Sequence, residues 1–227
     1  MKIRRELDQV LNRLQDDLVR MLGLVIEGLQ DAMSSLKNQN FDLAEKVVQN
    51  DEAINELRYQ VERFCVDAIA TQQPVASDLR IIMAALHIAV ELERMGDHAA
   101  GIAKATLKIG DEPLIKPLID LPRMGTIASE MSRSALDAFF ERDEVAANAI
   151  IDRDDEVDEL YDQILRELLT YMIEDPKKIR QGTQILWAAH AVERIADRAT
   201  NIAERVIFVK TGEMDDLTSE STEIRGA

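Results

Sequence analysis

Residues 93–103 read Glu93-Arg94-Met95-Gly96-Asp97-His98-Ala99-Ala100-Gly101-Ile102-Ala103, and residues 193–203 read Glu193-Arg194-Ile195-Ala196-Asp197-Arg198-Ala199-Thr200-Asn201-Ile202-Ala203. The two stretches are one pattern repeated at an offset of 100 residues. Upstream, Asp51-Glu52-Ala53-Ile54-Asn55-Glu56-Leu57 returns as Asp154-Asp155-Glu156-Val157-Asp158-Glu159-Leu160, at an offset of 103. Arg80 and Leu86 return as Arg180 and Leu186. Solenoid repeats have periods of roughly 20–50 residues, so this period is too long for one. Each copy is instead large enough to be a small domain, and the fold must be one unit built twice.

The unit is helical. Ile81, Ala85, Ile88, Leu92, Met95, Ala99 and Ile102 recur at three- and four-residue intervals, and Ile185, Ala188, Val192, Ile195, Ala199, Ile202 and Val206 match them. Alternating β-branched runs between Gly-rich turns are absent, and 227 residues hold only nine Gly and five Pro. In the first copy a helix runs from about Leu7 to Leu36, followed by the turn Lys37-Asn38-Gln39-Asn40, with Asn40 placed to cap the next helix. That second helix reaches about Thr71, where Gln72-Gln73-Pro74 breaks it, and Ser77 or Asp78 starts a third that ends at Gly110. The second copy follows the Pro- and Gly-bearing stretch from Gly110 to Pro122 and breaks at Glu141-Arg142-Asp143 and Glu174-Asp175-Pro176. Asp175 as N-cap before Pro176 is a helix start signal. Long helices with short turns pack antiparallel. The expected fold class is therefore all-α, two tandem three-helix bundles spanning residues 1–110 and 111–212, with a disordered polar tail over 213–227. Leu79, Met83, Leu86 and Val90 lie off the main stripe of the third helix; either they form a second packing surface or they meet the first two helices.

Charge and cysteine content narrow the function classes. Lys plus Arg number 27 and Asp plus Glu 43, a net charge of −16. Nucleic-acid binding needs a cationic face to displace counterions, and anionic lipid needs a polybasic patch; neither fits. Cys65 is the single cysteine, so no internal disulfide can form. The opening Met1-Lys2-Ile3-Arg4-Arg5-Glu6 lacks the apolar core of a secretory leader. No apolar run approaches the roughly 20 residues of a membrane span. The expectation is a cytoplasmic protein without membrane insertion.

The carboxylates form a pattern of their own. Glu93 and Asp97 share a helix face, as do Glu193 and Asp197, Asp51 and Asn55, and Asp154 and Asp158. Asp51 lies 23 residues before Pro74 and Asp97 lies 23 after it; Asn55 and Glu93 are each 19 away. The corresponding distances around Pro176 are 22 and 21, and 18 and 17. A one-residue mismatch is about 1.5 Å of rise. Each antiparallel hairpin therefore brings four oxygen-bearing side chains to one level. Two readings follow. Either the acids are solvated faces, with Arg94, Arg194, Lys104 and Arg153 as partners, or they hold a cation of the kind oxygen ligands suit: Mg, Mn, Ca or ferric iron. A zinc site is disfavoured for want of a Cys/His set. A buried di-iron site is disfavoured because no His follows a Glu by three. His87 and His190 fall in apolar stretches and are expected to be packed; His190, three before Glu193, is nonetheless the histidine nearest the acidic face. Met33, Met83, Met95 and Met131 read as core filler. Nucleophile elbows and phosphate-binding glycine loops are absent.

Gln72-Gln73-Pro74-Val75-Ala76-Ser77-Asp78-Leu79-Arg80, followed by Glu93-Arg94-Met95-Gly96-Asp97, resembles the PhoU family. Glu193-Arg194-Ile195-Ala196-Asp197-Arg198, ending near Lys210-Thr211-Gly212-Glu213, is similar to that family's second copy, so the resemblance runs from about Leu7 to Gly212. It implies two similar three-helix bundles side by side and a regulator rather than an enzyme. Such a regulator is an adaptor that, in high phosphate, links the ATPase subunit of a phosphate ABC transporter to a phosphate-sensing histidine kinase and represses the starvation response. It also implies a homodimer. Some members bind multinuclear metal clusters on paired Glu/Asp-x-x-x-Asp motifs. By position these are Asp51, Asn55, Glu93 and Asp97, and Asp154, Asp158, Glu193 and Asp197. Asn55 departs from the carboxylate pattern, so weaker binding is expected at the first site. A carboxylate-cluster metal protein, or a paralogue acting outside phosphate signalling, is the alternative.

Overall fold

The structure, a computed structural model, describes residues 2–212. The tail expected to be disordered, 213–227, lies outside the described residues. Six helices follow one another: α1 (Lys2–Asn38), α2 (Phe41–Gln72), α3 (Ser77–Ile109), α4 (Asp120–Glu141), α5 (Glu144–Glu174) and α6 (Ile179–Thr211). No strand occurs among the described residues.

The turns show why the helices stop where they do. Gln39 turns the chain after α1 with φ 50°, and the Asn40 side chain accepts the Leu43 N–H at 3.0 Å, satisfying a donor that the first turn of α2 leaves open. Asp143 does the same for α5, accepting from Val145 and Ala146 at 2.9 and 3.1 Å. Asp175 accepts the Lys177 N–H at 3.1 Å, with Pro176 in the first position. That turn is a separate 3-10 turn, Pro176–Lys178, ahead of α6. α3 begins at Ser77, one of the two expected positions. Its cap is Ala76, at φ 48° and without a capping side chain, while Ser77 and Asp78 sit inside the first turn. Asp78 there still favours the positive end of the helix dipole.

The helices before the Gly110–Ile119 connector form one bundle and those after it a second. The bundles lie side by side, with α3 against α6 and α1 against α4, while α2 and α5 flank them on the outside. One continuous core runs through both, including Leu18, Met21, Leu29, Ile88, Leu92 and Met95 in the first bundle and Met124, Val192 and Ile195 in the second. Full burial of each such side chain contributes about 2 kcal/mol. Buried alanines recur along the two central helices, among them Ala89, Ala99 and Ala103 on α3 and Ala189, Ala196 and Ala203 on α6. Short side chains let helices approach closely. α3 is covered by α1, α2 and α6, which resolves its off-stripe residues: Leu86 packs against the core, and Leu79 alone is more than a third exposed. Met33, Met95 and Met131 are buried and Met83 is half-buried.

Candidate functional site

The hairpin arithmetic brings carboxylates together in each bundle. In the first, Asp51 of α2 faces Asp97 and Glu93 of α3. Burial pushes the Asp51 carboxyl up to about 6, the Asp97 and Glu93 charges add to the rise, and Lys104 partly offsets it. Gly96 makes this approach possible: a Cβ there would stand 3.2 Å from Asp51 Oδ1 and 2.8 Å from Ile54 Cδ1. Glu93 is raised by burial and by Asp97, against the pull of Arg58 and Arg94. Arg58 Nε lies 3.7 Å from Glu93 Oε1, and the same guanidinium pairs with Glu62. Asn55 is half-buried on the same helix face.

The second cluster carries more charge and fewer cations. Asp154 of α5 is pushed up to about 7, chiefly by burial and then by Asp197, Asp158, Glu193 and Asp155. Its Oδ1 is buried without a hydrogen-bond partner. Glu193 is raised by burial and Asp197, against His190. His190 Nδ1 stands 2.8 Å from Glu193 Oε2 but outside hydrogen-bonding geometry, so that oxygen too is unpartnered. Arg194 binds Asp197 at 3.0 Å. Burial and the Glu193 charge raise the Tyr161 hydroxyl, and the Tyr161 ring lies 6.0 Å from that of His190.

These donors suit a hard cation. They are oxygen-rich, partly desolvated and mutually repelling, and in the second cluster two buried oxygens lack any hydrogen bond. Among the described residues, no group of three or more His, Cys, Asp or Glu side chains is yet set as a bound metal ion would require. Side-chain rotation about χ1 and χ2 would have to close either set.

Several expectations are corrected here. His87 and His190 are exposed rather than packed, because each lies one position, or about 100°, off a buried neighbour (Ile88 and Ala191). Arg153 turns to Glu130 and Glu156 and leaves the second cluster without its expected partner. Arg94 contacts Glu91 at 3.7 Å rather than an acid of the cluster. Arg58 and Tyr161 were not anticipated, yet they lie seven residues after Asp51 and Asp154 respectively and so share their faces. His98 follows Asp97 on α3 and lies about 100° round the helix from it. It faces the seam between the bundles, where burial and the charges of Arg198 and Arg194 lower its basicity.

Comparison with known proteins follows the same division. A sequence model of the PhoU domain matches the chain twice, over residues 18–106 and 121–206. The "phosphate-specific transport system accessory protein PhoU homolog" of Aquifex aeolicus is 39% identical over 214 residues, covering 94% of this chain and 95% of its own. That of Clostridium acetobutylicum is 37% identical over 215 residues, covering 94% and 98%. The crystal structure of PhoU from Pseudomonas aeruginosa superposes with a TM-score of 0.85 at 35% identity, over 91% of this chain and 99% of that one. The phosphate transport system regulatory protein PhoU of Streptococcus pneumoniae superposes at 0.86 and 33%, over 93% and 100%.

Proposed function

Because the chain belongs to the PhoU family, we propose that it is a regulatory accessory protein of a phosphate transport system. In phosphate-rich conditions it links the transporter's ATPase subunit to a phosphate-sensing histidine kinase, keeps the starvation response off and restrains uptake. The observation that carries this reading is the match in both halves at once. Relatives named as phosphate transport accessory proteins align over nearly the whole chain, not over one bundle. A homodimer is part of the proposal. Among the described residues no helix is long and apolar enough to cross a membrane, so contact with a transporter would be made by docking.

The carboxylate clusters add a second element. Asp51, Asn55, Glu93 and Asp97, and Asp154, Asp158, Glu193 and Asp197, would hold Mg, Mn or ferric ions. When bound, such an ion would supply positive charge to carboxyls, Asp51 and Asp154 among them, whose hold on a proton is raised by burial and by their acidic neighbours. The chain's part is to hold the oxygens at one level. The raised Asp154 and its unpartnered Oδ1 favour the second cluster as the tighter one.

Deleting the gene in its host and following an alkaline phosphatase reporter in phosphate-rich medium tests the regulatory role. High constitutive expression, reversed by the wild-type gene, is the expected result. A reporter that stays silent would overturn it and favour a metal protein working outside phosphate signalling. Complementation with Glu193→Ala/Asp197→Ala then asks whether the cluster matters. Elemental analysis after loading with Mn, Mg or Fe tests the metal directly, and protein that retains none would end that element.

A further inference from the structure

α3 and α6 cross antiparallel. Arg180, near the start of α6, donates to the Lys108 carbonyl at 2.9 Å, and Arg198, further along, meets Glu91 at 3.2 Å. Since the two helices are copies of each other, the crossing has an approximate twofold relation: each contact on one side should recur on the other with 100 added or removed. On one side the seam is closed. The half-buried Glu91 carboxylate accepts from Arg198 and from Asn201, both at 3.2 Å, with Arg94 3.7 Å away. On the other side the equivalent positions are Ala191, His98 and Gly101, with Arg194 in the place of Arg94. Three of the four side chains at the first joint are shortened in the second, Arg94 alone returning as Arg194, and the carboxylate is gone.

What remains is an open groove of about 410 Å³ between the two helices. Its floor is small: Ala105 and Ala191 are buried, and a Cβ on Gly101 would meet nothing within 4 Å. Trp187, 65% exposed, stands at its side. Its lining carries Lys104, Lys108 and Arg194, the last also bound to Asp197 behind it, against one lining carboxylate, Asp97, on a chain whose net charge is −16. From Gln184 to Arg194 the α6 wall is about 15 Å long, or nearly three helical turns. Helices that dock in such grooves place apolar side chains at three- and four-residue spacing on the floor.

We propose that the α3–α6 groove is a docking site for an acidic amphipathic segment of a partner protein. One of its carboxylates takes the place that Glu91 fills on the opposite side, beside His98 and Arg194; further acids meet Lys104 and Lys108; an apolar side chain lies on Gly101, Ala105 and Ala191 against the Trp187 ring. A free phosphate ion would use the cations but neither the floor nor the indole. Exposed tryptophan beside arginine is the composition of binding hot spots. The inference rests on the geometry of the seam and stands apart from the regulatory role, since its test contains no transporter or kinase.

Trp187 is the chain's only tryptophan, so its emission reports directly on the groove. The full-length protein is titrated with a 14-residue helical peptide bearing Glu and Leu on one face, with the same peptide carrying Gln for Glu, and with sodium phosphate at matched ionic strength. The Glu peptide should give a saturable blue shift, and the Gln peptide should bind at least ten-fold more weakly. Phosphate alone should give no saturation. Ala191→Glu supplies the missing carboxylate from within and should abolish peptide binding. Lys104→Ala/Lys108→Ala, changed at two exposed positions, should weaken it at least ten-fold even if the first variant does not fold. No saturable response to the Glu peptide, equal affinity for both peptides, saturation by phosphate alone, or undiminished binding by the lysine variant would each overturn the proposal.

Discussion

Replacing Asp154 with asparagine should stabilise the protein at pH 8 relative to pH 5. The Asp154 carboxyl is raised from 3.8 to about 7, first by burial and then by Asp197, Asp158 and Glu193. In the unfolded chain it loses its proton near 3.8, whereas the folded chain keeps it to about 7. Stability is therefore greatest below the unfolded value, falls as pH rises between the two, and stays low above the folded one. About two pH units of that fall lie between pH 5 and pH 7. At about 1.4 kcal/mol per unit and a reduction of roughly half for solvent screening of a partly open site, the variant's advantage should grow by about 1.4 kcal/mol from pH 5 to pH 8. In a chain of this size that is roughly 3–6 °C of Tm. Thermal unfolding followed by circular dichroism, with chelator present, reads it directly. Asparagine leaves the Oδ1 position equally unpartnered at both pH values, so the difference between the two pH values isolates ionisation. An advantage that is the same at pH 5 and pH 8, or larger at pH 5, would refute the account of repelling, desolvated carboxylates. If a cation replaces the proton, MnCl2 should raise the wild-type Tm at pH 8 and leave the variant nearly unmoved.

Arg198→Ala should destabilise by about 2 kcal/mol, because it strands the half-buried Glu91 carboxylate. A urea double-mutant cycle with Glu91→Gln should show a coupling of at least about 1 kcal/mol, and additive effects would show that the closed joint is not one unit. Cys65 is buried at 0% exposure with its thiol pushed up to about 12. It should resist a disulfide reagent at pH 8 in native protein and react once urea unfolds the chain. Asp143→Ala removes the acceptor of two N–H groups at the start of α5 and should cost about 1 kcal/mol in thermal melts. Gly23→Ala, where a Cβ meets nothing within 4 Å, should stabilise by about 1 kcal/mol. Gly96→Ala should fall short of that gain, since its Cβ crowds Ile54 and Asp51.

The amino-acid sequence by itself determined the helices, the duplication and the level of the acids, because each depends on a fixed local geometry. A stripe repeated every three or four residues can only be helical. With a constant rise per residue, equal counts on either side of Pro74 must place Asp51 opposite Asp97, wherever the bundle sits. Capping is equally local, so Asn40 and Asp175 were legible as caps and Glu141-Arg142-Asp143 as a break; α3 starts at Ser77, one of the two positions the sequence offered, while its cap, a positive-φ alanine, leaves no polar side chain to read. Only the tertiary structure decided what lies between the bundles. Glu91 lies more than 100 residues from both Arg198 and Asn201 in the chain, and no local period relates it to them. Their meeting depends on how the alanine-rich faces of α3 and α6 seat against each other. That seating closed one joint of the seam while its copy, with Ala191, His98 and Gly101, stayed open. The periodicity that makes two helices alike gives no sign of which copy will be closed. That was decided by side-chain length at an antiparallel crossing.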